Sequence, residues 1–238
     1  MSSIQQNIEQ ITSQISSAQQ KCGRVQESVQ LLAVSKTKPN QAILDAALAG
    51  QNMFGENYVQ EGVDKVTYFS EHQPNLAIEW HFIGPIQSNK TRPVAEHFAW
   101  VHTVDRAKIA QRLNDQRPSD MPPLQVLIQV NTSGEDSKSG IEEHQVFELA
   151  ALISTLPNLT LRGLMSIPAN VPDYASQLRA FKQLTALKQA LAERHPNLKL
   201  DTLSMGMSGD MEAAIEAGST MVRIGTAIFG ERDYSTKA

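Results

Sequence analysis

Leu31-Leu32-Ala33-Val34-Ser35-Lys36-Thr37-Lys38-Pro39 places a lysine where a short apolar run ends. Leu31 to Val34 reads as a buried strand, too short for a buried helix and β-branched at its end. Pro39 removes a ladder donor and suits the first turn of a helix. Lys36 is therefore expected at the carboxyl end of a strand, where α/β folds collect their chemistry. Apolar walls there disfavour the ammonium form, and a neutral amine can attack a carbonyl to form a Schiff base. Pairing with a phosphate or a neighbouring acid is the plainer reading of the same position.

The strand-then-helix unit recurs along the chain. Further strands are expected at Met53-Phe54-Gly55 and over residues 78–83, 100–104, 124–130, 159–165, 202–205 and 221–224. The spacing predicts helices over about 40–49, 58–69, 88–97, 142–155, 173–195 and 210–217, and one capped by Asp105 that runs to Asn114. Upstream, Ile4, Ile8, Ile11, Ile15, Ala18 and Cys22 alternate spacings of four and three. That pattern makes one apolar stripe, capped by Ser2 or Ser3 and closed by Gly23. Eight strands alternating with helices, with no composition break, predict an α/β chain whose residues 1–238 form a single-domain (β/α)8 TIM barrel. Only a short tail is expected after strand eight, so the extra N-terminal helix can stand in for the missing outer helix. A doubly wound open sheet fits less well, because no Gly-x-Gly-x-x-Gly turn follows strand one.

Bulk properties narrow the function classes. The net charge of −4 argues against wholesale binding to nucleic acid or to an anionic membrane. The single cysteine, Cys22, cannot form an internal disulfide and lies on the apolar stripe, which fits core packing. The N-terminus has no basic segment followed by an apolar one, and no run approaches membrane-spanning length, so a cytoplasmic protein is expected. The six histidines show no His-x-x-x-His pair or cysteine partner, and no metal site is expected. His81 fits a structural or hydrogen-bonding role better than a ligand role.

In a barrel the carboxyl ends of all strands share one face. That brings together Lys36, Asn57, residues 81–84, the polar loop 131–140, Met165-Ser166, the 204–209 segment and 223–226. Met205-Gly206-Met207-Ser208-Gly209-Asp210 and Arg223-Ile224-Gly225-Thr226 both look like phosphate cradles, because barrels often bind phosphate with the loops after strands seven and eight. Tight turns alone would also explain these glycines. A Schiff-base lysine beside a phosphate cradle suits pyridoxal 5′-phosphate (PLP), and a sugar-phosphate aldolase meets the same two conditions. Arg223 favours PLP, since it could donate to the pyridine nitrogen; a salt bridge at the barrel mouth is the plainer alternative.

These residues carry a resemblance. The chain resembles the pyridoxal phosphate homeostasis protein family, also called the YggS or PROSC type, over nearly its whole length. The motifs are Leu32-Ala33-Val34-Ser35-Lys36; Phe54-Gly55-Glu56-Asn57-Tyr58-Val59-Gln60-Glu61; Trp80-His81-Phe82-Ile83-Gly84 with Gln87, Asn89 and Lys90; Gly163-Leu164-Met165; Ser204-Met205-Gly206-Met207-Ser208 with Asp210; and Val222-Arg223-Ile224-Gly225-Thr226. The resemblance implies a fold-type III PLP barrel like the N-terminal domain of alanine racemase. It implies that Lys36 forms the internal aldimine, that Ser208, Gly225 and Thr226 hold the phosphate, that Arg223 faces the pyridine nitrogen and that Asn57 lies beside the ring. Lys138 matches a lysine of the family's mobile loop, where a role in PLP release or transfer competes with that of a solvated loop charge.

The family is tied to vitamin B6 and amino-acid homeostasis without a firmly established turnover. The expectation is a carrier that passes PLP on by transimination, with a PLP-dependent amino-acid racemase as the alternative. Two points favour the carrier. An arginine cannot accept a proton, so it keeps the pyridine nitrogen unprotonated and the ring a weaker electron sink. Alanine racemase also draws a tyrosine base from a second domain, whereas here the barrel is expected to extend to Ala238. The expected partners are PLP, free amino acids and PLP-dependent apo-enzymes, with the chain a monomer.

Overall fold

β1 (Gln30–Val34) sends Leu31 and Ala33 into the layer shared with the helices and Leu32 into the barrel interior. The two-residue side-chain period of a strand produces this sorting, and it repeats around the barrel. A computed structural model of the chain describes residues 3–133 and 139–231. Before β1 lies α1 (Ile4–Lys21), and after it α2 (Asn40–Leu48), β2 (Met53–Glu56), α3 (Val59–His72), β3 (Glu79–Phe82), α4 (Thr91–His97) and β4 (Trp100–Val104). Then follow α5 (Ala107–Gln116), β5 (Leu124–Gln129), α6 (Val146–Ser154), β6 (Leu159–Met165), α7 (Tyr174–Arg194), β7 (Thr202–Ser204), α8 (Met211–Ala217), β8 (Met221–Ile224) and α9 (Thr226–Phe229). All eight strands are parallel and close in sequence order into one barrel, β8 pairing back onto β1 with Leu32 opposite Arg223.

Outward-facing Phe54, Trp80, Phe82, Val101, Val126, Ile128, Leu164, Val222 and Ile224 are buried under the helices. Trp80, for example, packs its ring on Phe54 at 5.8 Å and on Phe69 of α3 at 5.7 Å. The interior holds two apolar clusters. Leu32, Ile83 and Met221 form one, and Trp100, Leu127 and Met165 the other. Between them runs a polar seam of His81, His102, Ser204 and Arg223, all buried.

α1 completes the helical ring. Ser3 and Gln6 make a reciprocal capping box, and Gly23, at φ +69°, closes the helix. The buried stripe Ile8, Ile11, Ile15 and Ala18 packs where α1 meets α2, α8 and α9. Burial of each isoleucine contributes roughly 1.5–3 kcal/mol. Asn7 Nδ2 donates to the Ile228 carbonyl at 2.8 Å, and Arg24 Nη1 to those of Ile215 and Ser219 at 2.8 and 2.6 Å. The expected tail after strand eight instead begins with the short helix α9.

Three local expectations shift. Asp105 does not cap α5; Arg106 occupies the N-cap position and its guanidinium pairs with Asp105 at 2.6 Å. The helix expected from 142 starts at Val146, after a 3-10 turn over Glu143–Gln145. The helix expected over 88–97 also opens as a 3-10 turn, Ser88–Lys90, with Pro93 inside the first turn of α4, where its missing N–H leaves no intrahelical bond unmade. Cys22 is half-buried against the core, as its stripe position predicts. Among the described residues no helix is long and apolar enough to cross a membrane.

Candidate functional site

Ser35 is fully buried and donates its N–H to the Gly55 carbonyl at 3.0 Å, so the β1–β2 ladder continues past Val34. The period that turns Leu32 inward therefore extends to Lys36, which is half-buried in the turn after β1. The next residue, Thr37, has φ +63°, a left-handed conformation unfavourable to a β-branched side chain. Such strain costs of order 1–3 kcal/mol and persists only where the surroundings impose it.

An ion cluster beneath the turn imposes it. Lys65 Nζ donates to the Ser35 carbonyl at 2.8 Å, to Glu56 Oε1 at 2.9 Å and to Glu61 Oε1 at 2.6 Å. Ser35 Oγ donates to Glu56 Oε1, and the Thr37 N–H to Glu61 Oε1, both at 2.5 Å. Burial pushes the Glu56 carboxyl above its ordinary range, with Lys65 and Ser35 pulling the other way. From the opposite side Lys38 Nζ donates to the carbonyls of Phe229, Gly230 and Glu231, which ties the turn to the end of α9. The Lys36 turn is thus fixed between α3 and α9.

Arg223 stands one strand away. Its side chain is buried, with Nη1 donating to Ser204 Oγ at 2.8 Å and Nη2 to the Ser166 carbonyl at 3.0 Å. Burial lowers its pKa to about 10, with the Asp210 charge opposing, so it stays a cation at neutral pH. Ser204 also contacts His102 Nδ1 at 2.8 Å, His102 Nε2 contacts His81 Nδ1 at 2.9 Å, and His81 Nε2 contacts Glu79 Oε1 at 2.9 Å. His81 stacks on Trp100, with ring centroids 5.2 Å apart. Burial lowers the pKa of both histidines, that of His102 well below its usual value.

Two loops border the same end. In the β7–α8 loop, Asp210 Oδ1 accepts from the Met207 N–H at 2.7 Å and leaves Ser208 and Gly209 exposed at the rim. Gly206, at φ +101°, lets this loop fold down: a Cβ there would lie 2.6 Å from that of Ala214. After β8, Gly225 lies against Val34, where an added Cβ would approach the Val34 carbonyl oxygen to 3.1 Å, and Thr226 is exposed. The β8 loop and the Lys36 turn are therefore neighbours. Asn57 follows β2 and packs on Gly84 so closely that a Cβ at 84 would lie 2.0 Å from the Asn57 carbonyl oxygen.

The structure thus brings Lys36, Asn57, Ser208, Arg223, Gly225 and Thr226 to one end of the barrel. Lys138 lies outside the described residues. Asn57 Oδ1 and Ser166 Oγ are buried there with no hydrogen-bond partner among the described residues. Native structures rarely leave buried polar atoms unsatisfied, and such atoms at a strand-end face fit a ligand that supplies the missing bonds. A planar ligand with polar ring substituents, an anionic arm and an aldehyde would match these groups, the guanidinium, the rim loops and the lysine. Among the described residues no group of histidine, cysteine and carboxylate side chains could hold a metal ion.

Sequence reasoning missed the supports. Ser35, Glu56, Glu61 and Lys65 lay inside or just beyond quoted motifs, and the spacing of Glu61 and Lys65 could have suggested their pairing. Ser204 and His102 gave less signal, because their contact joins strands 102 positions apart in sequence.

The model of the alanine racemase N-terminal domain matches residues 6–233. A relative in Vibrio cholerae named pyridoxal phosphate homeostasis protein is 76% identical over 238 residues, covering all of both chains. One of the same name in Escherichia coli is 59% identical over 237 residues, again at full coverage. The structure of PipY from Synechococcus elongatus with PLP bound superposes with a TM-score of 0.82 at 33% identity, covering 95% of this chain and 100% of that one. Alanine racemase from Corynebacterium glutamicum shares the fold at 17% identity and a TM-score of 0.66, with 62% of its chain covered. With identities of 76% and 59% over the full length of both chains and a family model that matches residues 6–233, the chain belongs to the pyridoxal phosphate homeostasis protein family.

Proposed function

We propose that this chain binds PLP at the carboxyl end of its barrel and serves the cell as a carrier of the cofactor. In this reading Lys36 holds the PLP aldehyde as a Schiff base, Arg223 faces the pyridine nitrogen and Asn57 lies beside the ring. Ser208, Gly225 and Thr226 hold the phosphate. The observation that carries the reading is a buried cationic guanidinium one strand away from a lysine in a strained, doubly anchored turn. The names of the relatives and the PLP bound to PipY support it. When bound, PLP supplies an aldehyde that takes up amines and a ring that can accept electrons.

The protein's own groups favour holding over turnover. Arg223 can only donate, so it gives the ring nitrogen a hydrogen bond without a proton and leaves the ring a weak electron sink. Exchange of Lys36 for another amine needs no such sink, which makes transfer to an amino acid or an apo-enzyme the step this site suits. The reading also takes the cytoplasm as its compartment and the monomer as the working unit, the latter open to light scattering. Borohydride reduction of PLP-loaded protein, followed by peptide mass spectrometry, tests the central assignment. A phosphopyridoxyl group on the Lys36 peptide is expected, and a label confined to Lys38, Lys90 or Lys138 overturns it.

A further inference from the structure

Arg223 ends a line of side chains that crosses the barrel interior to Glu79, at the amino end of β3. The links are Arg223 Nη1 to Ser204 Oγ, Ser204 Oγ to His102 Nδ1, His102 Nε2 to His81 Nδ1, and His81 Nε2 to Glu79 Oε1, all between 2.8 and 2.9 Å. The two ends fix the direction of every proton. A guanidinium has donors and no acceptor, so Ser204 Oγ accepts from it. An ionised carboxylate only accepts, and the hydrogen bond from His81 holds the Glu79 carboxyl below its ordinary pKa, so His81 carries a proton on Nε2. A neutral His81 then has a bare Nδ1 and accepts from His102 Nε2–H. A neutral His102 in turn has a bare Nδ1, which accepts the serine hydroxyl proton. Every donor in the line has one acceptor.

The opposite direction needs one more proton. If His102 Nδ1–H donated to Ser204, its Nε2 would have to accept from His81, which would then carry protons on both nitrogens. That puts an imidazolium at a fully buried position, against the burial that lowers the pKa of both rings. Only one proton order therefore suits the neutral interior.

We infer that Ser204, His102, His81 and Glu79 are positioning residues for Arg223, holding its guanidinium in one orientation through a hydrogen-bonded chain with a single proton direction. What Arg223 faces rests on the PLP reading; the chain belongs to the protein itself. A freely rotating arginine would have to be ordered each time a ligand arrived, so an arginine already fixed lowers that cost.

Ligand-free, full-length protein labelled with ¹⁵N provides the test by NMR, with His81 and His102 assigned through single His→Gln variants. Both rings should be neutral with the proton on Nε2 at pH 7. The Nη signals of Arg223 should be separately resolved, as for a guanidinium whose rotation is blocked. Ser204→Ala should average those Nη signals and Ser204→Thr should restore them. Glu79→Gln, at the half-exposed end, should let a second tautomer of His81 appear while the fold persists. PLP retention should fall at least about tenfold in Ser204→Ala, since a hydrogen bond to a charged group is at stake. A proton on His102 Nδ1, or an imidazolium at either position, overturns the proton order. Unchanged Arg223 signals in Ser204→Ala overturn the positioning. Failure of the parent protein to take up PLP would refute the PLP reading, while the ligand-free spectra would still decide on the chain.

Discussion

Replacing Lys65 by methionine removes the cation that holds the Lys36 turn together. Glu56 is fully buried and would keep Ser35 Oγ as its remaining neutral donor, while its Oε2 already has no hydrogen-bond partner among the described residues. Glu61 is part exposed and would turn to water. Removing one member of a buried ion pair typically costs about 3–5 kcal/mol. At about 2–4 °C per kcal/mol for a chain of this size, the midpoint of thermal unfolding should drop by roughly 6–20 °C. The double variant Glu56→Met with Lys65→Met removes the orphaned charge and should recover most of the loss. The sign with pH follows from Glu56. Its folded pKa is raised by burial, so the folded state takes up a proton there more readily than the unfolded chain, and Glu56 opposes folding increasingly as pH rises through that value. Without Lys65 the opposition grows, so the deficit of Lys65→Met should be larger at pH 8 than at pH 5. Calorimetry or circular dichroism melts at both pH values measure this. A deficit under about 1 kcal/mol, or one that widens on acidification, refutes the account of the cluster.

Gly84→Ala should lower the melting temperature and weaken PLP retention together, because the new Cβ must displace the Asn57 backbone from 2.0 Å; equilibrium dialysis beside a melt checks both. Ser208→Ala combined with Thr226→Val should weaken PLP retention by roughly 1.5–3 kcal/mol per lost hydroxyl and leave the melt nearly unchanged, since both side chains are exposed at the rim; equal affinity would move the phosphate elsewhere. PLP-loaded protein should activate a PLP-free enzyme yet leave L-alanine chirally intact. Racemisation at about 1–10³ s⁻¹, followed polarimetrically, would replace the carrier by a racemase.

The barrel was legible because each strand announces itself locally. Short apolar runs ending in polar residues, with prolines and glycines between, survive without knowledge of their partners. The places of Lys36 and Arg223 were legible for the same reason: one is a charge just past such a run and the other a charge inside one. What failed to show was the side-chain network between strands. Nothing near Ser204 distinguishes an arginine's acceptor from a turn serine, and His102 looked like one more histidine without a metal-binding neighbour. Asp105 illustrates the converse error, since a local rule assigned it as a cap while the adjacent Arg106 claimed its carboxylate. The short α9 escaped notice because four residues carry no periodicity.

Lys36 and Arg223 of the proposed site are held by devices of different kinds. The Lys36 turn is held from outside the sheet, by Glu61 and Lys65 of α3 with Glu56 of β2 beneath a left-handed Thr37 and by Lys38 on the end of α9. Arg223 is aimed from inside the barrel, by a neutral line of hydrogen bonds ending at Glu79. An outer device can use charge, because Glu61 and Lys38 reach solvent. Between Arg223 and Glu79 the interior line uses serine and neutral imidazoles, whose protons are ordered by the charges at either end. β1 separates the two devices and they share no residue, so their variants should add in stability. In PLP retention they need not add, because one ligand would engage Lys36 and Arg223 at once. A carrier must bind its cargo firmly and still release it to an arriving amine. If the proposed reading holds, ring and phosphate contacts would set the affinity, while only the bond to Lys36 would have to be exchanged.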